Sequence, residues 1–224
     1  MKKIRVKFNH FLCLLGIRKI LPQEIVSAVE IKENDESFVE LRAGNRLYLD
    51  TRFTKKLMVR KTVGIMLMDV VNRLPVEFSL IIVDAYRSLE RQKKLWEEYY
   101  EKVKIVNPKA TKEELIEKTR LFVAQPLSSS GGHQTGGAID VTLGDVNGKE
   151  FNLGTKLNEF TSRTKMYSRD IDVEEKKRRK ILFQAMVGAG FKNYPAEWWH
   201  FSYGDKLWAA YSRKNICFYG PKSL

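Results

Sequence analysis

Residues 130–143 read Ser-Gly-Gly-His-Gln-Thr-Gly-Gly-Ala-Ile-Asp-Val-Thr-Leu, and the fold turns on how they are read. The stretch divides at Ala138. Before it, glycines at 131, 132, 136 and 137 surround His133. Glycine allows tight turns and close approach of other groups, so this half is a loop. From Ala138 to Leu143 a short apolar run predicts a strand. Asp140 lies inside it, between Ile139 and Val141. A carboxylate among apolar neighbours is costly unless it is paired or bound to a cation. His133 and Asp140 are therefore candidate metal ligands. A surface-loop histidine and an aspartate paired with a lysine are the alternative.

Upstream, Phe78–Val83 is a second compact apolar run and predicts a buried strand. It delivers Asp84-Ala85-Tyr86-Arg87 at its end. Functional groups are often mounted on loops at such places, and an arginine there offers planar, permanently charged donors to a carbonyl or carboxylate. An ordinary salt bridge to Asp84 or Glu90 is the other reading of Arg87. Before this strand, Val63, Leu67, Val70, Val71 and Leu74 form one apolar face, which predicts a helix over about 54–73 ended by Pro75. Gly64 within it implies close packing. Ile25–Val26 and Leu47–Leu49 read as short strands, with turns at Asn34-Asp35 and Gly44-Asn45.

After Arg87, Ser88 caps a helix to about Val103, and Thr111-Lys-Glu-Glu114 is a capping box for another to about Ala124. Asp145–Gly148 is a turn, and residues 149–171 are mostly loop. Val173–Val187 is a helix, ended by Gly188 or Gly190, with Glu174 and Glu175 four residues before Arg178 and Arg179. The basic run Lys176–Lys180 reads as an exposed face of it. Trp198–Tyr203 and Leu207–Tyr211 read as a strand pair turning at Gly204-Asp205. Helices and strands do not alternate as βαβ units. That predicts α+β: a single domain, residues 23–224, with a mainly antiparallel sheet flanked by helices.

Residues 1–22 are read as an N-terminal segment. Lys2, Lys3, Arg5 and Lys7 precede the apolar run Phe11–Ile17, which resembles a weak or vestigial signal. The run is too short to span a bilayer, and no small-x-small cleavage site follows it. Cys13 and Cys217 are too far apart in sequence to form a zinc spacing or a disulfide framework and are read as reduced. The expected location is the cytoplasm, with export as the alternative. The +13 net charge, 40 Lys+Arg against 27 Asp+Glu, is read as a solvated basic surface. Basic residues interleaved with aromatics, as single-strand binding needs, are lacking, so no nucleic-acid partner is expected.

The second site motif is Glu197-Trp198-Trp199-His200. Two histidines and an aspartate suffice for a catalytic zinc, which takes three protein ligands and keeps one position for water. Glu197 is then available as a base. Residues three apart on a regular strand face opposite ways, so joint service of Glu197 and His200 requires a bend at Trp198-Trp199. A Trp-rich core strand with a satisfied histidine is the alternative reading of the tetrad alone.

His133-x-x-Gly136-x-Ala138-x-Asp140 with Glu197-x-x-His200 resembles the zinc D,D-peptidases of peptidase family M15, whose fold is shared with the Hedgehog signalling domain. Asp84-Ala85-Tyr86-Arg87-Ser88 and Glu197-Trp198-Trp199-His200-Phe201 are similar to the D-alanyl-D-alanine dipeptidase branch, as are Asn193-Tyr194-Pro195 and Tyr219-Gly220-Pro221. The resemblance implies one Zn²⁺ held by His133, Asp140 and His200, with Glu197 as general base and Arg87 as oxyanion stabiliser. It implies D-Ala-D-Ala or a short peptidoglycan-derived peptide as substrate.

Two positions depart from the pattern. Gly131 stands where many members carry a substrate-binding serine, with Ser130 one step earlier. Asn158 stands where the dipeptidase branch carries an aspartate, leaving Glu159 as the acid of that segment. Ser130 and Glu159 are thus the candidate substrate-binding residues. The resemblance is compatible with a D,D-dipeptidase, with a D,D-carboxypeptidase acting on stem peptides, and more distantly with a non-catalytic metal-holding module. An intact Glu197 speaks against the last.

Overall fold

The computed structural model describes residues 20–120, 123–126, 131–159 and 161–224. Ser130, Cys13 and most of the N-terminal segment fall outside them. In chain order the first elements are α1 (Gln23–Ser27), β1 (Glu30–Ile31), β2 (Phe38–Glu40), β3 (Leu47–Leu49), β4 (Met58–Arg60), α2 (Lys61–Arg73) and β5 (Ser79–Asp84). Then come α3 (Leu89–Val106), α4 (Lys112–Thr119), β6 (Ala138–Gly144) and α5 (Val173–Gly188). The last are β7 (Lys192–Asn193), β8 (His200–Ser202), α6 (Lys206–Tyr211) and β9 (Ile216–Cys217).

β5 and β6 are buried at every residue, which is why their sequences are continuous apolar runs rather than alternating ones. They form the centre of a five-stranded sheet in the order β3-β5-β6-β8-β7. β3 runs parallel to β5, and the other pairings in this sheet are antiparallel. Two small ladders flank it: β2 with β4, antiparallel, and β1 with β9, parallel. The fold is α+β, with a mainly antiparallel main sheet, as the element order predicts.

The apolar face of α2 is buried at Val63, Leu67, Val70 and Val71 and packs against α5 and β5. One continuous core joins it to Leu182, Ala185 and Met186 of α5 and to Trp198, Trp199 and Phe201. Burying side chains of this size contributes roughly 1.5–3 kcal/mol each. Gly64 is indeed at a close contact, since a Cβ there would lie 3.2 Å from Val39 Cγ2.

Several expected elements differ. Ile25–Val26 lies in a short helix, where Val26 is buried and α1 packs on α6; tertiary contact overrides the β preference of two branched residues. Leu207–Tyr211 is helix rather than strand. Asp205 accepts a hydrogen bond from Trp208 N at 2.8 Å and so caps α6, and Ala209 and Ala210 favour that state. Helix α2 starts at Lys61, not near Thr54, because Met58–Arg60 pairs with Phe38–Glu40 as a strand. Helix α4 ends at Thr119, short of Ala124. The strand expected from Trp198 begins only at His200. The run Lys176–Lys180 is not wholly an exposed face: Arg179 is 1% exposed, and Glu175 is buried as well. Glu175 instead completes a capping box with Asp172, and of the two glycines offered as the end of α5 it is Gly190, at φ +105°, that takes the left-handed conformation.

Candidate metal centre

The register of three adjacent strands builds the site. Asp140 on β6 lies opposite Asp84 on β5 and opposite His200 on β8. Directly opposed residues share a sheet face, so strand pairing alone puts an acid, an acid and a histidine in one row. An irregularity in β5 between Ile82 and Asp84 re-aims the end of that strand.

His133 reaches the row from a single 3₁₀ turn, Gly132–Thr135. The turn closes at Gly136, whose φ of +72° is left-handed and whose missing Cβ leaves room for the Phe38 ring. Arg87 N donates to His133 O at 3.0 Å, and His133 Nδ1 lies 2.7 Å from Ala85 O. A carbonyl only accepts, so Nδ1 carries the proton and Nε2 presents a lone pair. That nitrogen is 3.4 Å from Asp140 Oδ1, and His200 Nδ1 is 2.9 Å from the same oxygen. The ligand atoms of His133, Asp140 and His200 all fall within 4.8 Å of one another. The two imidazole rings meet edge to face at 4.9 Å.

Asp140 is 4% exposed. Burial by itself would raise its carboxyl, but His133 and His200 outweigh burial and hold it far below the usual range. His200 responds in kind: burial opposes its charged form, while Asp140 and Glu197 raise its pKa above the ordinary histidine value. Two imidazole nitrogens and one carboxylate oxygen are a donor set for a borderline divalent ion such as zinc, and unlike the all-oxygen sets of calcium. The arrangement fits a metal.

Glu197 lies in the turn region before β8, the chain turns at Trp198-Trp199, and Glu197 is near enough to His200 and Asp140 for their charges to act on it. Its carboxyl is pushed up to about 7, first by desolvation and then by Asp140, against the pull of His200 and Arg87. Arg87 is held from two sides. Its Nη2 and Nε donate to Asp84 Oδ2 at 2.8 and 3.3 Å, and its Nη1 donates to Gln92 Oε1 at 3.0 Å. The salt-bridge reading of Arg87 holds, to Asp84, and against the effect of burial the charges of Asp84, Asp140 and Glu197 raise its pKa.

Sequence reasoning treated Asp84 only as a salt-bridge partner and missed Arg91 and Gln92. Arg91 places both terminal nitrogens on the Asp84 carboxylate, at 2.8 and 3.1 Å. Gln92 is 2% exposed and donates to Ala124 O at 2.6 Å. The available signal was Asp84 itself, an acid at the end of a buried strand, which demands cationic partners. Glu159 is exposed, and its Oε2 accepts from Lys156 N at 3.1 Å. Ser130 lies outside the described residues. Among the described residues no helix is long and apolar enough to cross a membrane.

Comparison with known proteins places these observations. The Peptidase M15 family profile, described as D-ala-D-ala dipeptidase, matches residues 49–221. A D-alanyl-D-alanine dipeptidase of Synechocystis sp. is 35% identical over 105 residues, covering 39% of this chain and 42% of the relative. The Escherichia coli D-alanyl-D-alanine dipeptidase is 28% identical over 122 residues, covering 54% and 53% respectively. The matched region thus spans about half the length of these curated relatives. A solved structure of the vancomycin resistance D,D-pentapeptidase VanY from a VanB-type cassette, in complex with Zn(II), superposes with a TM-score of 0.48 at 14% identity, covering 86% of this chain and 96% of that one.

Proposed function

This chain belongs to the Peptidase M15 family, and on that premise we propose that it is a zinc metallopeptidase hydrolysing the D-Ala-D-Ala peptide bond. The observation that carries the reading is the convergence of His133, Asp140 and His200 within 4.8 Å beside a glutamate pushed up to about 7. In this reading the three residues hold one Zn²⁺ per chain. Bound there, zinc supplies a water acidified to a pKa of roughly 7 and a Lewis acid for the scissile carbonyl.

Glu197 takes the proton from the attacking water and returns it to the departing amine of D-Ala. A carboxyl poised near neutrality suits both transfers. Arg87 stabilises the negative charge that grows on the carbonyl oxygen. Three of its five N–H groups are engaged by Asp84 and Gln92, which fix the fork and leave two for substrate. The reading assigns Ser130 and Glu159 to substrate binding. A buried free thiol at Cys217 suits a reducing compartment, so the proposed location is the cytoplasm.

A second reading, a D,D-carboxypeptidase acting on longer peptidoglycan stem peptides, is favoured by one observation. The Gly154–Glu159 segment offers a neutral, exposed Asn158, and one oxygen of the Glu159 carboxylate accepts from Lys156 N. Nothing there is committed to a free substrate amine.

Elemental analysis and a D-Ala release assay test the proposal together. The purified protein should carry about one zinc per chain, as a single three-ligand site requires. Glu197→Gln should keep the zinc and lose D-Ala release. A protein that binds no zinc, or a Glu197→Gln variant with unimpaired turnover, would refute it.

A further inference from the structure

Glu197 stands on a turn, and the described segments around it, residues 149–159, 161–171 and 194–199, contain little regular structure. What they share is one side chain. Arg179 projects from α5 and is 1% exposed. Its Nε donates to Leu153 O at 2.7 Å, and its Nη1 donates to Arg163 O at 2.9 Å and Lys165 O at 2.8 Å. Its guanidinium lies over the Trp198 ring, 5.4 Å from the centroid. One planar fork thus ties the start of the Gly154–Glu159 segment to the 163–165 loop, on a rigid helix.

Both loops are in turn bound to the residues flanking Glu197. Trp198 Nε1 donates to Thr155 Oγ1 at 2.8 Å, and Trp198 N donates to Thr164 O at 3.0 Å. Met166 N donates to Pro195 O at 3.0 Å, and Thr164 Oγ1 donates to Ala196 O at 3.3 Å. Residues 195, 196 and 198 are thereby held on both sides of the base. By contrast, His133 and Asp140 are set by β5, β6 and the 3₁₀ turn, with no contact to Arg179 among those bonds.

The arginine is an expensive way to pin loops. Burial pushes its pKa down to about 10, with Glu175 opposing and Arg163 reinforcing the shift. Its Nη2 finds no hydrogen-bond partner among the described residues. Gly154, at φ +97°, leaves room for it, since a Cβ there would lie 3.1 Å from Nη2. A buried cation with an unmet donor is poor evidence of stabilisation and calls for another explanation.

We propose that Arg179 is a positioning residue for the proposed hydrolysis, the buried fork that sets the Glu197 carboxylate relative to the metal centre through Trp198, Thr155 and Thr164. The inference rests on the function proposed above. Glu197 is also held directly, its backbone O accepting from Asn193 Nδ2 at 3.0 Å and its carboxylate from the Trp199 side chain, and Arg179 acts on the loops that flank these bonds; a displacement of about 1 Å at a reacting group costs on the order of 100-fold in rate.

The test uses the zinc-loaded full chain and Arg179→Met, Arg179→Lys and Thr155→Val. Expected are normal zinc binding, KM for D-Ala-D-Ala within about threefold, and kcat per bound zinc down on the order of 100-fold for Arg179→Met. Arg179→Lys keeps the charge without the fork and should not rescue. The acid limb of kcat/KM should move to lower pH as Glu197 loosens towards solvent, a change that loss of stability alone would not produce. Thr155→Val removes one link in the surface-accessible part of the chain and should show the same signature more weakly, which keeps the proposal testable if Arg179→Met does not fold. Hydrogen exchange at the Trp198 amide, read without substrate, should accelerate in every variant while β6 amides hold. Full activity with an unmoved pH profile, rescue by lysine, or an unchanged Trp198 amide would overturn the proposal. Wild-type inactivity with faster Trp198 exchange would instead refute the hydrolase reading and leave the clamp standing.

Discussion

Asp140 and His200 face each other across β6 and β8, with Asp140 Oδ1 2.9 Å from His200 Nδ1 and 3.4 Å from His133 Nε2. One carboxylate oxygen thus faces two imidazole nitrogens from segments 67 residues apart in sequence. The strand register makes this possible. Asp140→Asn keeps the shape and removes the charge. It should weaken zinc binding by more than about 100-fold, the upper range for changes one shell further out. Competition with a chelating dye checks this, and unchanged affinity would remove Asp140 from the ligand set.

Glu197 predicts a pH profile. Its carboxyl sits at about 7, raised mainly by desolvation, and it acts as a base only when ionised. Turnover should therefore rise with pH along an acid limb. A cation at the neighbouring proposed ligands favours the ionised form, so in the zinc-loaded protein the limb should lie below about 7 and above the ordinary glutamate value of 4.5. The kcat/KM profile of the wild type reads it. The sign would be wrong if turnover fell with rising pH over that interval.

How far the site was legible follows from these two residues. The cluster of proposed ligands was readable because each motif concentrates rare chemistry: the two histidines of the described chain, and an acid inside an apolar strand. The central strands β5 and β6 were readable because burial on both faces writes itself as unbroken apolar runs. Helix α6 was not, because Leu-Trp-Ala-Ala-Tyr carries no period over so short a length and the deciding group is the Asp205 cap. The supports of Arg87 were also hidden. Gln92 and Arg91 lie on a helix whose outer surface is charged, and nothing in the order of residues marks which polar side chains turn inward towards Asp84. Arg179 was hidden for the same reason, as one basic residue in a basic run.

Asp84 carries two guanidiniums, Arg87 and Arg91, with its side chain 7% exposed. Replacing it by alanine leaves two cations without their partner. Breaking such a buried pair costs about 3–5 kcal/mol, so Asp84→Ala should lower stability by about that much in chemical denaturation. It should also reduce kcat, since Arg87 loses its main anchor. A variant with wild-type stability would show that the pair is not held as described.

Arg87→Ala removes the donor proposed for the carbonyl oxygen. Loss of one such donor costs about 100- to 1,000-fold in kcat. Zinc content should be unchanged, because the Arg87 side-chain hydrogen bonds go to Asp84 and Gln92 and not to the proposed metal ligands. Steady-state kinetics on zinc-loaded protein decides it, and a change confined to KM would reassign Arg87 to substrate binding alone.

Acid stability has a separate source. Glu36 accepts from Tyr219 Oη at 2.7 Å, from Thr62 Oγ1 at 3.1 Å and from Thr62 N. Burial works against its ionised form, but the Thr62 and Tyr219 donors prevail and hold the carboxyl below its usual value of 4.5. A folded pKa below the unfolded one gives stability that is complete above about 4.5 and is lost as pH falls through the folded value. Hydrogen bonds to a charged group are worth roughly 1.5–3 kcal/mol. Glu36→Gln should therefore be less stable than wild type at pH 7, with the difference closing as pH drops below 4. A constant difference across that range would contradict the assignment.

The most direct test of the central claim is D-Ala released from D-Ala-D-Ala by one preparation before chelation, after chelation, and after zinc is returned. The account predicts release, its loss, and its recovery. Undiminished release from the metal-free protein would contradict it.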